Sequence, residues 1–120
     1  MKIVIPGRLP GLNEVNNTNR ANKYAGNKLK KETEQLLCLY IKNQCKAKFE
    51  CIKLSVDWYE PNMRRDYDNI ASATKFILDA LVKCEVIKND GWKQIAPELY
   101  HRFFLDRDNP RIEIFIEEVQ

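Results

Sequence analysis

At 120 residues, with 44% hydrophobic and 31% charged side chains, the chain is one globular domain over 1–120, which excludes a disordered or fibrous protein. No apolar run approaches a membrane span, and Met1-Lys2-Ile3-Val4-Ile5-Pro6 lacks the form of a signal peptide, so cytoplasmic placement with no membrane partner is expected. The net charge of +3 is uneven: residues 1–65 carry 13 Lys and Arg against 6 acids, and residues 66–120 carry 7 against 11.

Lys2 to Ile5 reads as a first strand stopped by Pro6. Residues 6–27, rich in glycine, proline and asparagine, read as a long structured loop of the functional kind. Lys28 to Lys46 places Leu29, Leu36, Leu37, Tyr40 and Ile41 at helical spacing. From Glu50 to Glu60 the chain alternates, with Ile52, Leu54, Val56 and Trp58 on one side, as a half-buried strand does. Asn69 to Cys84, with Ile70, Ala73, Ile77, Ala80 and Leu81 in register, predicts a second amphipathic helix. Leu99 to Leu105 and Arg111 to Val119 read as strands joined by a hairpin turn at Asp106 to Pro110. The expected fold is a single α+β domain of order β-α-β-α-β-β, a mixed sheet with two helices packed on it.

Several chemistries are excluded by inspection. Cys38, Cys45, Cys51 and Cys84 form no CxxC pair, and the single histidine, His101, lies far from them, so neither a zinc site nor a disulfide framework is expected. The four glycines build no GxxxxGK loop, so no nucleotide cofactor is expected. No acid is followed two positions later by lysine, which removes the acid-x-Lys nuclease signature. Carboxylates must carry any metal.

The candidate cluster is Asp66-Tyr67-Asp68-Asn69, followed by Lys75, Asp79 and Asn89-Asp90. On a helix beginning near Asp68, Asp68, Ser72, Lys75 and Asp79 share one face, and Asp90 can join them if the next loop folds back. Hard oxygen ligands of this kind suit Mg²⁺. The plainer alternative makes Asp68 a helix N-cap and Lys75–Asp79 an i,i+4 salt bridge. Asp106-Arg107-Asp108-Asn109 repeats the spacing, but the following Pro110 marks a turn. Arg20, Lys23, Lys28, Lys30, Lys31, Arg64 and Arg65 form the densest basic stretches and are candidates for contacts to a nucleic-acid backbone, the alternative being ordinary solvated lysines.

Arg65-Asp66-Tyr67-Asp68-Asn69, then Lys75-Phe76-Ile77-Leu78-Asp79-Ala80-Leu81, then Asn89-Asp90 resembles the RusA family of Holliday-junction resolvases. Leu9-Pro10-Gly11-Leu12-Asn13 is similar to that family's N-terminal Pro-x-x-Asn segment, which brings Asn13 into the DNA-binding set. The resemblance implies Mg²⁺ ligands at Asp66, Asp68 and Asp90, a catalytic lysine at Lys75, and symmetric cleavage of four-way junction DNA by a homodimer. Lys75 follows Asp68 by seven positions where the family motif has four, and a helix starting later, with Asp68 still in the loop, would absorb the shift. The competing expectation is a non-catalytic junction- or duplex-binding module whose aspartates only cap.

Overall fold

The alternation read at residues 50–60 becomes the middle of the molecule. In the computed structural model, which describes residues 1–120, the elements are β1 (Lys2–Pro6), α1 (Leu12–Ala21), α2 (Lys23–Gln44), β2 (Ile52–Glu60), α3 (Tyr67–Ala71), α4 (Thr74–Lys83), β3 (Tyr100–Leu105) and β4 (Arg111–Glu118). The strands form one mixed sheet in the order β1-β4-β2-β3. β4 runs antiparallel to both β1 and β2, aligning Ile3 with Ile114, Ile114 with Val56, and Ile112 with Trp58. Because side chains alternate across a strand, that register gathers the isoleucines of three strands on one face. Leu37 and Ile41 of α2 and Ile77, Ala80 and Leu81 of α4 complete the same buried cluster. No helix is long and apolar enough to cross a membrane.

The α+β class, the single mixed sheet and the four strands agree with the sequence reading, and four details differ. Residues 6–27 are not one loop: α1 fills much of them, and α2 begins at Lys23 rather than Lys28. None of α1's residues is buried, so it shows no apolar stripe, and its asparagines are poor helix formers. Asn22 starts α2, its side-chain Oδ1 accepting from the Ala25 amide at 2.6 Å.

The helix expected over 69–84 is two segments. Ala73 donates to the Ile70 carbonyl and Phe76 to that of Ala73, a tight i→i+3 turn that separates α3 from α4. The sheet therefore carries four helical segments instead of two. The fourth difference is that β3 and β4 form no hairpin. β2 lies between them, and the connection from Asp106 to Pro110 passes over its end, where the Asp106 amide donates to the Glu60 carbonyl at 2.8 Å.

The β2–β3 pair is parallel, aligning Trp58 with Phe103 and Glu60 with Leu105. Parallel neighbours need a long crossover, and residues 61–99 supply it. That crossover holds Asp66, Asp68, Lys75 and Asp90, so the candidate chemistry sits on the connection between two parallel strands. All four cysteines are free, and burial pushes the Cys84 thiol, in contact with Cys38, up to about 12.

Candidate active site

In sheets with parallel strands, ligands bind beyond the carboxyl ends of those strands. A cleft of about 780 Å³ opens there, lined by Glu60 at the end of β2, by Phe103, Phe104 and Leu105 at the end of β3, and by Met63, Asp66, Tyr67 and Asp68 of the crossover.

The loop carrying the aspartates is fastened from below. Glu60 is 5% exposed, and its carboxylate accepts from Arg65 Nε at 3.1 Å, from Arg65 Nη2 at 2.9 and 3.0 Å, and from Arg8 Nη2 at 3.0 Å. Arg65 also donates to the Leu9 carbonyl at 3.0 Å and reaches Glu14 at 3.4 Å. With its side chain 12% exposed, Arg65 is turned into the fold rather than toward solvent. A planar guanidinium against a buried carboxylate is strong and directional, so it fixes the chain immediately before Asp66.

Asn69 makes the second attachment. Its Oδ1 accepts from the Asn13 amide at 3.0 Å, in the first turn of α1. Gly11 leaves room for this contact, because a Cβ at that position would stand 2.6 Å from Asn69 Oδ1 and push the side chain away. The Leu9–Asn13 segment and the D-x-D-N segment are thereby docked together, and Asn69 performs from afar the capping that Gly11 lacks a side chain to provide.

Asp66 holds the N-cap position of α3 but makes no capping hydrogen bond with its side chain. Asp68, one residue inside α3, accepts only from the adjacent Asn69 amide at 3.0 Å. Both are exposed, and neither they nor Asp90 forms an ion pair. Asp66 and Asp68 thus present free oxygen donors to the cleft, as a hard cation requires. No three His, Cys, Asp or Glu side chains come within shared metal-binding reach, so Asp66, Asp68 and Asp90 do not form a three-carboxylate group.

Lys75 lies in the first turn of α4, its Nζ 2.9 Å from Asp79 Oδ1. That hydrogen bond and the Asp79 charge raise the Lys75 pKa, and the negative charge of Asp90 adds to the effect. The late helix start expected before Lys75 is not seen: Asp68 lies within α3, and a turn separates α3 from α4. Asp68, Ser72, Lys75 and Asp79 therefore do not lie along one continuous helix.

The basic residues fall into separate groups. Arg20 ends α1, Lys23 starts α2, and Lys28, Lys30 and Lys31 follow on its first turns; all are exposed, and of these only Lys28 approaches an acid, Glu32 at 3.9 Å. Arg64 is exposed beside Asp66, and Asn13 is exposed at the start of α1. His101 is structural: its Nδ1 accepts from Trp58 Nε1 at 3.0 Å, and burial lowers its pKa.

Sequence reasoning missed Glu60 and Arg8 as the clamp, and it missed the aromatic wall of Tyr67 and Phe103. Tyr67, between two aspartates, was the one local signal for that wall. The anchoring of Glu60 by Arg8 joins residues 52 positions apart, which no local pattern reveals.

A search among curated proteins finds no match. The sequence model described as Endodeoxyribonuclease RusA matches residues 13–117, nearly the whole chain and all of the segment that builds this cleft. The chain belongs to the RusA endodeoxyribonuclease family.

Proposed function

We propose that this endonuclease resolves four-way DNA junctions in recombination and repair, with Mg²⁺ as cofactor and two copies of the chain acting together. The observation that carries the reading is the pair of free carboxylates, Asp66 and Asp68, held in a cleft by a clamped loop on a RusA-family chain. Asp66 and Asp68 are the first metal ligands in this reading, and the three carboxylates would have to draw closer than they stand here for Asp90 to complete the oxygen set. A divalent cation held there would supply positive charge to the scissile phosphate and would acidify an attacking water.

The chain's own side chains do the rest. Lys75, released from Asp79 as the phosphate approaches, offsets charge building on the phosphoryl oxygens. Arg20, Lys23, Lys28, Lys30, Lys31 and Arg64 hold the flanking backbone, with Asn13 beside them and Arg65 steadying the loop from within. The competing view, in which the aspartates only cap, finds no support in Asp66, whose side chain caps nothing.

Resolution needs two cuts in strands of like polarity, and one domain with one cleft makes one, so a two-fold homodimer fits the junction's symmetry. The helices leave the outer face of the sheet bare, and Tyr100, Phe104 and Phe115 stand on it, so this face is the proposed interface. Incubation of a synthetic mobile junction with Mg²⁺ tests the activity: paired symmetric nicks are expected, and their absence throughout pH 7 to 9 would overturn it. Analytical ultracentrifugation at micromolar concentration tests the dimer, and a clean species near 14 kDa with uncoupled nicking counts against it.

A further inference from the structure

Two chemically unlike surfaces meet in the cleft. Beside the free carboxylates of Asp66 and Asp68 lie Tyr67, 69% exposed, and Met63, 82% exposed. Nothing in the chain covers them. Tyr67 is also no loose side chain: its ring stacks on Phe103 with centroids 4.3 Å apart and planes 21° from parallel. Phe103 is half-buried on β3 opposite Trp58, so the sheet itself backs the stack. One face of the tyrosine ring is thus supported and the other is open. A ligand that fits this place has a flat apolar face joined to an anion that a cation on Asp66 and Asp68 would attract. A nucleotide unit has both.

We propose that Tyr67, backed by Phe103, is a stacking platform for one unpaired nucleobase adjoining the phosphate that Asp66 and Asp68 address. This rests on the nuclease reading above and deepens it. A base inside a duplex is already stacked on both faces and has none to offer. A base at a branch point, a bulge or a single strand has lost a stacking neighbour, and an aromatic side chain replaces it. The platform therefore converts a local break in base stacking into binding, and it selects DNA by structure without reading an edge of the base. Stacking of one base on an aromatic side chain is worth roughly 5- to 150-fold in affinity.

The test measures binding by the full chain in EDTA, so that no cutting intervenes, to a duplex with a single-nucleotide bulge and to the same duplex fully paired. Tyr67→Leu keeps an apolar side chain and removes the ring, and Tyr67→Phe keeps the ring. The leucine variant is expected to lose about 5- to 150-fold on the bulged duplex and under about twofold on the paired one, while the phenylalanine variant stays within about twofold on both. Phe103→Leu, which removes the backing ring, is expected to lose part of the same preference. Equal behaviour of the leucine and phenylalanine variants, or equal loss on both duplexes, overturns the platform. So does a leucine variant that changes only the sedimentation coefficient, because the ring would then cover a second copy of the chain. Nicking with Mg²⁺ is scored separately: wild-type protein that prefers the bulge through Tyr67 yet cuts no DNA refutes the nuclease and leaves the platform standing. Wild-type protein that cuts junctions while the leucine and phenylalanine variants bind alike refutes only the platform.

Discussion

Replacing Glu60 by alanine removes the acceptor of four charged hydrogen bonds and leaves two guanidinium groups facing each other at the end of β2. Breaking a buried ion pair by deleting one partner costs about 3–5 kcal/mol, because the other charge stays desolvated. The Arg8 side chain is 35% exposed and rehydrates readily, whereas Arg65 cannot, so the expected loss is the lower part of that range, about 3–4 kcal/mol. For 120 residues the unfolding entropy is roughly 250 cal/mol/K, so the melting temperature should fall by roughly 12–16 °C. Urea unfolding of Glu60→Ala, Arg65→Ala and the double variant measures the pair directly, and a coupling energy of at least about 1.5 kcal/mol is expected. A destabilisation below about 1 kcal/mol, or no coupling, would show that the loop before Asp66 is not held by this clamp.

Asp66→Asn and Asp68→Asn should each lower junction nicking by at least about 100-fold while gel-shift affinity for the junction is kept or improved, since one anion fewer faces the phosphates. Joint loss of binding and nicking would point to misfolding. The double variant Lys30→Ala, Lys31→Ala should flatten log affinity against log salt by nearly two units, and an unchanged slope returns both lysines to ordinary solvated surface. Burial pushes the Glu113 carboxyl up, but hydrogen bonds from Arg111 and Lys2 outweigh it and hold the carboxyl below its usual range. Its stabilising effect is therefore present above the unfolded carboxylate value and is lost as pH falls through the lower folded one; the stability gap between the parent and Glu113→Gln should shrink in acid, and a pH-independent gap refutes this. Glu85, at φ 60° just after α4, occupies a left-handed position where the Val86 amide donates to the Leu81 carbonyl at 3.0 Å, so Glu85→Gly should gain up to about 1 kcal/mol in urea unfolding. Its exposed pairing with Lys48, at 3.7 Å, adds little to offset that gain.

The legible parts were those whose cause is local. β2 was readable because inward and outward residues alternate within nine positions, and α4 because Ile77, Ala80 and Leu81 repeat at helical spacing. α1 was not, since it buries nothing of its own and is held by Asn69, 56 positions away from the amide it accepts from. The hairpin expected at Asp106–Pro110 failed for a related reason. A short connection between two strands usually joins neighbours, but here β2 is the more apolar partner for both and takes the place between them.

The sequence by itself determined the α+β class, the position of the main strands and helices, and the grouping of Asp66, Asp68 and Asn69, all of which depend on residues within a few positions of one another. Only the tertiary structure decided the strand order, the clamp of Arg8 and Arg65 on Glu60, the docking of Gly11 and Asn13 on Asn69, and the backing of Tyr67 by Phe103. Apart from the Arg65–Glu60 contact, five positions apart, each of these joins segments distant in the chain, and which segments meet follows from which apolar faces can be buried together. That Asp66, Asp68 and Asp90 form no three-carboxylate group belongs with them. Spacing along a chain limits where a loop can reach, while packing of the whole crossover sets where it rests.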